Sequence, residues 1–127
     1  MTAKLISAML VVAGIIHVLP LAGVLGAERL ASLYGLDFSE SNLAILMRHR
    51  AVLLGLVGVL LIYAAFKPGQ QPVAFVVGFA SVISFLWLAW STGGYNSLVT
   101  KVVLADVVAL ACLVIGAVAY LVPRAGP

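Results

Sequence analysis

The sequence is short of charge. Of its 127 residues only seven are lysine or arginine and four are acidic, 9% in all. Soluble domains carry about a quarter. A chain this small, folded in water, leaves a large share of its surface exposed and needs polar groups to cover it. The shortage excludes an ordinary water-soluble domain. It also argues against a nucleic-acid partner, because the formal net charge is only +3 and no segment forms a basic stripe. Cysteine is nearly missing: Cys112 stands alone in an apolar run, which excludes an internal disulfide and a cysteine-based metal site. Histidine is scarce too, with only His17 and His49. No H-x-G-H motif and no glycine-rich loop after a strand is present, which excludes the common nucleotidyl-transfer chemistry. No nucleophile, base and acid form a set, so the expectation is a non-enzymatic protein.

Apolar residues are what is abundant: 65% of the chain, with a mean hydropathy of +1.25. They fall into four runs, Leu5–Gly26, Leu43–Phe66, Pro72–Trp90 and Leu98–Val122. Each is close to the roughly 20 residues that cross a hydrocarbon core of about 30 Å. Backbone groups in lipid must pair within their own segment, so the runs predict helices. The expected fold class is therefore all-α: one integral membrane domain over residues 1–127, an antiparallel bundle of four transmembrane helices. The first run exceeds the roughly 7–15 residues of a leader's apolar core, so it reads as a span and not as a cleaved signal.

The punctuation agrees. Ser39-Glu40-Ser41-Asn42 offers capping side chains before the second run. Lys67-Pro68-Gly69-Gln70-Gln71-Pro72 reads as a tight turn, Ser91–Ser97 as a short loop, and Pro123 as the end of the last helix. Tyr34, Phe38, Tyr63, Phe66, Phe75, Trp87, Trp90, Tyr95 and Tyr120 gather near the run ends, as an interfacial belt does. The long loop, residues 27–42, opens with an amphipathic stretch from Glu28 to Tyr34 that Gly35 should end, a segment able to lie on the membrane like a lid. Lys4, Lys67 and Arg124 fall on one side, against Arg29 among the acids Glu28, Asp37 and Glu40. That bias predicts cytoplasmic termini in a bacterial inner membrane, with the long loop outside.

The informative residues are those that lipid should reject. They are His17 in the first run, Arg48, His49 and Arg50 in the second, and Lys101 and Asp106 in the fourth. A charge at mid-helix costs about 2.5–3.5 kcal/mol, so such residues face the bundle interior, find partners and mark function. At about 1.5 Å per residue, His17, Arg50 and Asp106 all lie roughly 10–13 Å inside the outer ends of their runs. Trp87 comes close to that level. Arg48 is seven residues before Gly55 and shares its face, and Gly55 with Gly58 forms a small-residue seam for close helix approach. The expectation is Arg48 inward and paired with Asp106, Arg50 reaching toward the loop acids, and Ser81 and Ser84 leaving room below Trp87. The candidate site is thus the cluster His17, Arg48, His49, Arg50, Trp87 and Asp106. The plain alternative is arginines that snorkel to headgroups, an Asp–Arg pair that sets register, tryptophans of the belt and Lys101 as an interfacial anchor.

The stretch from Leu43 to Gly55 (LAILMRHRAVLLG), with Gly93-Gly94-Tyr95-Asn96, Ala105-Asp106, His17-Val18-Leu19-Pro20 and Ala27-Glu28-Arg29-Leu30, resembles a family of small bacterial four-helix membrane proteins of unknown function. More broadly the chain resembles DoxX-like proteins, and that resemblance implies a small membrane subunit beside a quinone-linked oxidoreductase. The leading expectation is an outer-half polar pocket that binds a lipid- or quinone-like molecule or docks a partner subunit. The alternatives are a small dimeric multidrug-type transporter, with Asp106 as its acid, and a haem or redox subunit using His17 and His49. No cofactor is required by any motif, no metal site is expected, and a homo-oligomer is open.

Overall fold

The computed structural model describes residues 2–122, and these fold entirely into helices and their connections. The helices are α1 (Thr2–Val18), α2 (Ala27–Tyr34), α3 (Ser41–Ala65), α4 (Gln71–Thr92) and α5 (Ser97–Leu121). Pro123 and Arg124, read above as a helix stop and a flanking charge, lie outside the described residues.

The first run is not one α-helix. It winds as α to Val18 and continues as a 3-10 helix, Leu19–Leu25. Pro20 is the cause: it has no N–H to return to the Ile16 carbonyl, and its ring crowds that carbonyl. The two pieces still make one span of 24 residues. The cap of α3 is Glu40, whose carboxylate accepts the backbone N–H of Asn42 and of Leu43 at 3.1 and 2.8 Å. α2 ends on Gly35 in the left-handed conformation, φ 70°, which a residue with a side chain rarely adopts. Asn96 caps α5 by accepting the Val99 N–H at 2.8 Å.

Four helical segments are long and apolar enough to cross a membrane: Thr2–Leu25, Ser41–Ala65, Pro68–Thr92 and Ser97–Leu121. α1 packs on α3 and α5, and α4 closes the ring on the other side of the same two helices. The bundle is antiparallel around the ring, with α1 facing α4 along one diagonal. α1 and α3 cross where two glycines meet: a Cβ on Gly58 would stand 2.7 Å from the Gly14 carbonyl oxygen. Ile6, Leu10, Leu61, Val82 and Leu113 fill the core completely buried, and Leu30, Tyr34 and Phe38 form a second small cluster under α2. The outward faces carry Leu46, Leu56, Val59, Val76, Leu104 and Val118, all exposed. An apolar surface of that extent belongs against lipid. The chain is a multi-pass membrane protein, and the even number of spans among the described residues sets Thr2 and Val122 on one side. The two ends of the bundle are called here the α2 end and the turn end, the latter holding the 3-10 turn Pro68–Gln70.

Candidate functional site

Arg50 lies in the half of the bundle nearer α2 and is the hub of the contacts made there by α2 and α4. α3 presents its half-buried side chain to the gap between α4 and α5. Arg50 Nη1 donates to Tyr34 Oη at 2.6 Å. The guanidinium carbon lies 5.5 Å from the ring centre of Tyr34 and 5.5 Å from that of Phe85, so the cation is held by two aromatic faces. Tyr34 is itself fixed from below and behind. Its ring meets Phe38 edge-on at 6.2 Å. Its carbonyl accepts Asn96 Nδ2 at 2.8 Å, so the residue that caps α5 also fastens the end of α2.

Three cavities surround this hub. The first, about 310 Å³, lies between the end of α1, α2 and α5; its polar lining is Asp106, Lys101, Ser32 and Tyr34, and its walls include Leu19, Pro20 and Leu98. The second, about 260 Å³, is lined by apolar groups such as Phe38, Met47 and Val99, with Arg50 as its one charged residue. The third, about 280 Å³, is a groove between α3 and α4 that runs from Arg50, Ser81 and Ser84 down Leu53, Leu54 and Val57. Tyr34 and Val102 stand between the first two, and Arg50 between the second and third.

His17 lies behind them, 3% exposed. Its Nδ1 is 2.8 Å from the Ala13 carbonyl and its Nε2 3.1 Å from Ser81 Oγ. A carbonyl only accepts, so Nδ1 donates, and in the neutral ring Nε2 accepts the Ser81 hydroxyl. This bond crosses the bundle diagonal from α1 to α4. Asp106 is half-buried and lines the first cavity.

Comparison with family models, with curated proteins and with solved structures finds no match. The site therefore stands on its geometry.

That geometry corrects the expected pairing. Arg48 is exposed, and its Nε donates to the Val24 carbonyl at 2.8 Å, tying α3 to the 3-10 segment and not to Asp106. Arg50 does not reach the loop acids either. Those acids are already engaged: Asp37 accepts the Ser39 N–H at 2.9 Å, and Glu40 caps α3. The Ser39 bond lowers the Asp37 pKa, and the Leu43 and then the Asn42 bonds lower that of Glu40. His49 and Trp87 are exposed, Trp87 lying tilted against Trp90 with ring centres 5.5 Å apart. His17 is buried with both ring nitrogens engaged, and His49 is exposed. Among the described residues no group of three or more His, Cys, Asp or Glu gathers to hold a metal. The structure thus buries His17, leaves Arg50 and Asp106 half-buried beside different cavities, and leaves Arg48, His49 and Trp87 exposed.

Sequence reasoning missed Tyr34 and Phe85 as walls of the site. Both carried a signal. Leu30 and Tyr34 are four residues apart on the apolar face of α2, and Gly78, Ser81, Val82 and Phe85 follow the spacing of an inward helix face.

Proposed function

We propose that this chain is a non-enzymatic protein of the bacterial inner membrane that holds the polar head of a lipid- or quinone-like amphiphile on Arg50. The reading places both termini in the cytoplasm and α2 on the outer face. One observation carries it. Arg50 is held in a fixed plane by two rings and spends one of its five N–H donors on Tyr34, while it lines both an apolar cavity and a groove open at the side. A planar fork with free donors suits an anionic or carbonyl oxygen, and the leucine-lined groove beneath suits a tail. The resemblance to DoxX-like proteins favours a quinone or a partner redox subunit among the candidates.

The test is mass spectrometry of gently extracted protein. Wild type should retain an amphiphile. Arg50→Lys, which keeps the charge and loses the fork, should retain it about tenfold less, the worth of roughly 1.4 kcal/mol. Equal retention by both proteins, or a Soret band in the absorption spectrum, would sink the reading. For orientation, a reporter fused at Lys67 should read cytoplasmic and one fused near residue 37 periplasmic; the reverse would invert the proposal.

A small multidrug-type transporter is the second reading. Asp106 favours it, as the acid that lines an open cavity at membrane depth. Transport of lipophilic cations into vesicles, lost in Asp106→Asn, would select it over the first.

A further inference from the structure

Several polar side chains of the spans are spent on the protein itself. Ser7, Gln71, Ser84 and Thr100 donate to carbonyls, and His17 uses both ring nitrogens. The first cavity is different. Ser32, Lys101 and Asp106 all line it, and none of the three has a hydrogen-bond or ion-pair partner among the described residues. Among those residues no buried side-chain oxygen or nitrogen lacks a partner, so the unbonded Asp106 carboxylate is open to the cavity. Sequence spacing explains why Lys101 and Asp106 leave each other unpaired. Five residues separate them, about 7.5 Å along the helix and about 140° around it. Pairs on a helix form at spacings of three and four. The same spacing sets them at two depths. Lys101 is four residues after the start of α5, about 6 Å in, where a long stem carries its ammonium to the headgroup level. Asp106 is nine residues in, about 13.5 Å, where a carboxylate calls for a partner.

The cavity thus holds donors at its rim and an acceptor deeper in, with one charge of each sign and no net charge. A ligand that satisfies both carries an anion outward and a cation inward, separated by a short spacer. A lysine ammonium with a hydroxyl beside it suits phosphate oxygens. A carboxylate suits a cation that has N–H groups to donate. A quaternary ammonium has none and is held by a cage of aromatic faces. The one ring lining this cavity is Tyr34, and Arg50 already lies over it. We propose that the first cavity is a second binding site, for a phosphoethanolamine head. Its primary ammonium donates to the Asp106 carboxylate, and its phosphate meets Lys101 Nζ and Ser32 Oγ at the rim. The head comes either on a membrane lipid, whose tails stay in the leaflet, or as the free molecule. Tyr34 and Val102 wall this cavity off from the one that Arg50 lines, so the site does not rest on the Arg50 reading.

The test is native mass spectrometry of the whole chain in dodecyl maltoside micelles, each batch carrying one dipalmitoyl lipid at the same mole fraction. Phosphatidylethanolamine has both charges and the N–H donors, phosphatidylcholine lacks the N–H groups, and phosphatidylethanol lacks the ammonium. Wild type should retain the first about tenfold more than either of the others, the factor that a hydrogen bond to a charged group is worth. Asp106→Asn should bring phosphatidylethanolamine down to the level of phosphatidylethanol. Lys101→Gln should lower the retention of both. Free phosphoethanolamine added to the water identifies the source. Displacement of the lipid by the free head supports the site and names the soluble molecule; a lipid that stays bound supports it and names the lipid. Equal retention of the three lipids by wild type would overturn the proposal, and that comparison needs no variant to fold. A preference that survives Asp106→Asn would place the head elsewhere and overturn it too. So would stronger retention in Lys101→Gln, the mark of a site for cations alone.

Discussion

The two halves of this bundle are built from the same helices and behave as opposites. Toward the turn end, small residues face each other and the helices close until backbone meets backbone, at Gly14 against Gly58. The polar groups there are spent locally: Ser7 Oγ donates to the Ala65 carbonyl and Gln71 Nε2 to the Ala64 carbonyl. Toward the α2 end, α2 packs on the 3-10 segment, α5 and α3. Rings and charges line that half, and the three cavities described above open there. In lipid no hydrophobic drive pulls helices together, so close packing depends on small residues and well-made polar contacts. One half has both and serves as scaffold. The other keeps space.

The largest expected effect breaks that contrast at the scaffold. Gly58→Val puts a side chain where the Gly14 carbonyl and the Val18 backbone nitrogen leave 2.7 and 2.9 Å, and backbone cannot yield cheaply. It should cost about 3 kcal/mol in SDS-titrated unfolding, at the upper end for overpacking. Ser84→Val also enlarges a side chain, by one heavy atom where Gly58→Val adds three, but into the groove between α3 and α4, and should cost under about 0.5 kcal/mol in the same assay. Equal losses would mean that the two halves are equally filled.

A middle-sized effect lies at Asn96. Its side chain both caps α5 and holds the Tyr34 carbonyl. Asn96→Ala should lose about 1 kcal/mol as a cap, and should also free α2. The check is proteolysis within residues 27–36, which should accelerate while the turn at residues 67–71 stays as resistant as before.

The smallest effect depends on pH. Asp37 and Glu40 have folded pKa values below their ordinary ones because backbone N–H groups bind their charged forms. The sign follows: the stabilisation is full above the ordinary carboxylate range and disappears as pH falls through the folded values. Hydrogen exchange at Ser39, Asn42 and Leu43, corrected for intrinsic rates, should speed up on acidification, while the amides of residues 58–62 should not change.

Much of the scaffold half was legible in the sequence. Run lengths placed the spans, the Gly55–Gly58 seam pointed to a close helix approach, and Gly35 marked the end of α2. The depth argument put His17, Arg50 and Asp106 at one level; His17 bonds Ser81 and Arg50 bonds Tyr34, and neither bonds Asp106. Its angular half failed at Arg48 for a physical reason. Arg48 does share the face of Gly55, but that face looks at the 3-10 segment: a Cβ on Gly55 would meet Leu21. Arg48 therefore ends at Val24, and Asp106 lies on α5, across the other diagonal from α3. Helical periodicity gives a residue's direction but not the neighbour it meets. Tyr34 was hidden for a related reason, since its place depends on Asn96, distant in sequence, folding α2 back over the bundle.

The 3-10 stretch that Pro20 imposes has a consequence for the membrane around the protein. A 3-10 helix rises about 2.0 Å per residue against about 1.5 Å for an α-helix, so Leu19–Leu25 is about 3.5 Å longer than the same seven residues would be as α. The first span has 24 residues where each of the others has 25. The extra rise more than makes up the missing residue, and the first span reaches as far as its companions. Every ångström of unequal length would thin or tilt the neighbouring lipid at a cost of a fraction of a kcal/mol. The proline that interrupts the helix thus gives the first span the reach of the other three, and so removes one cause of local bilayer distortion beside the site.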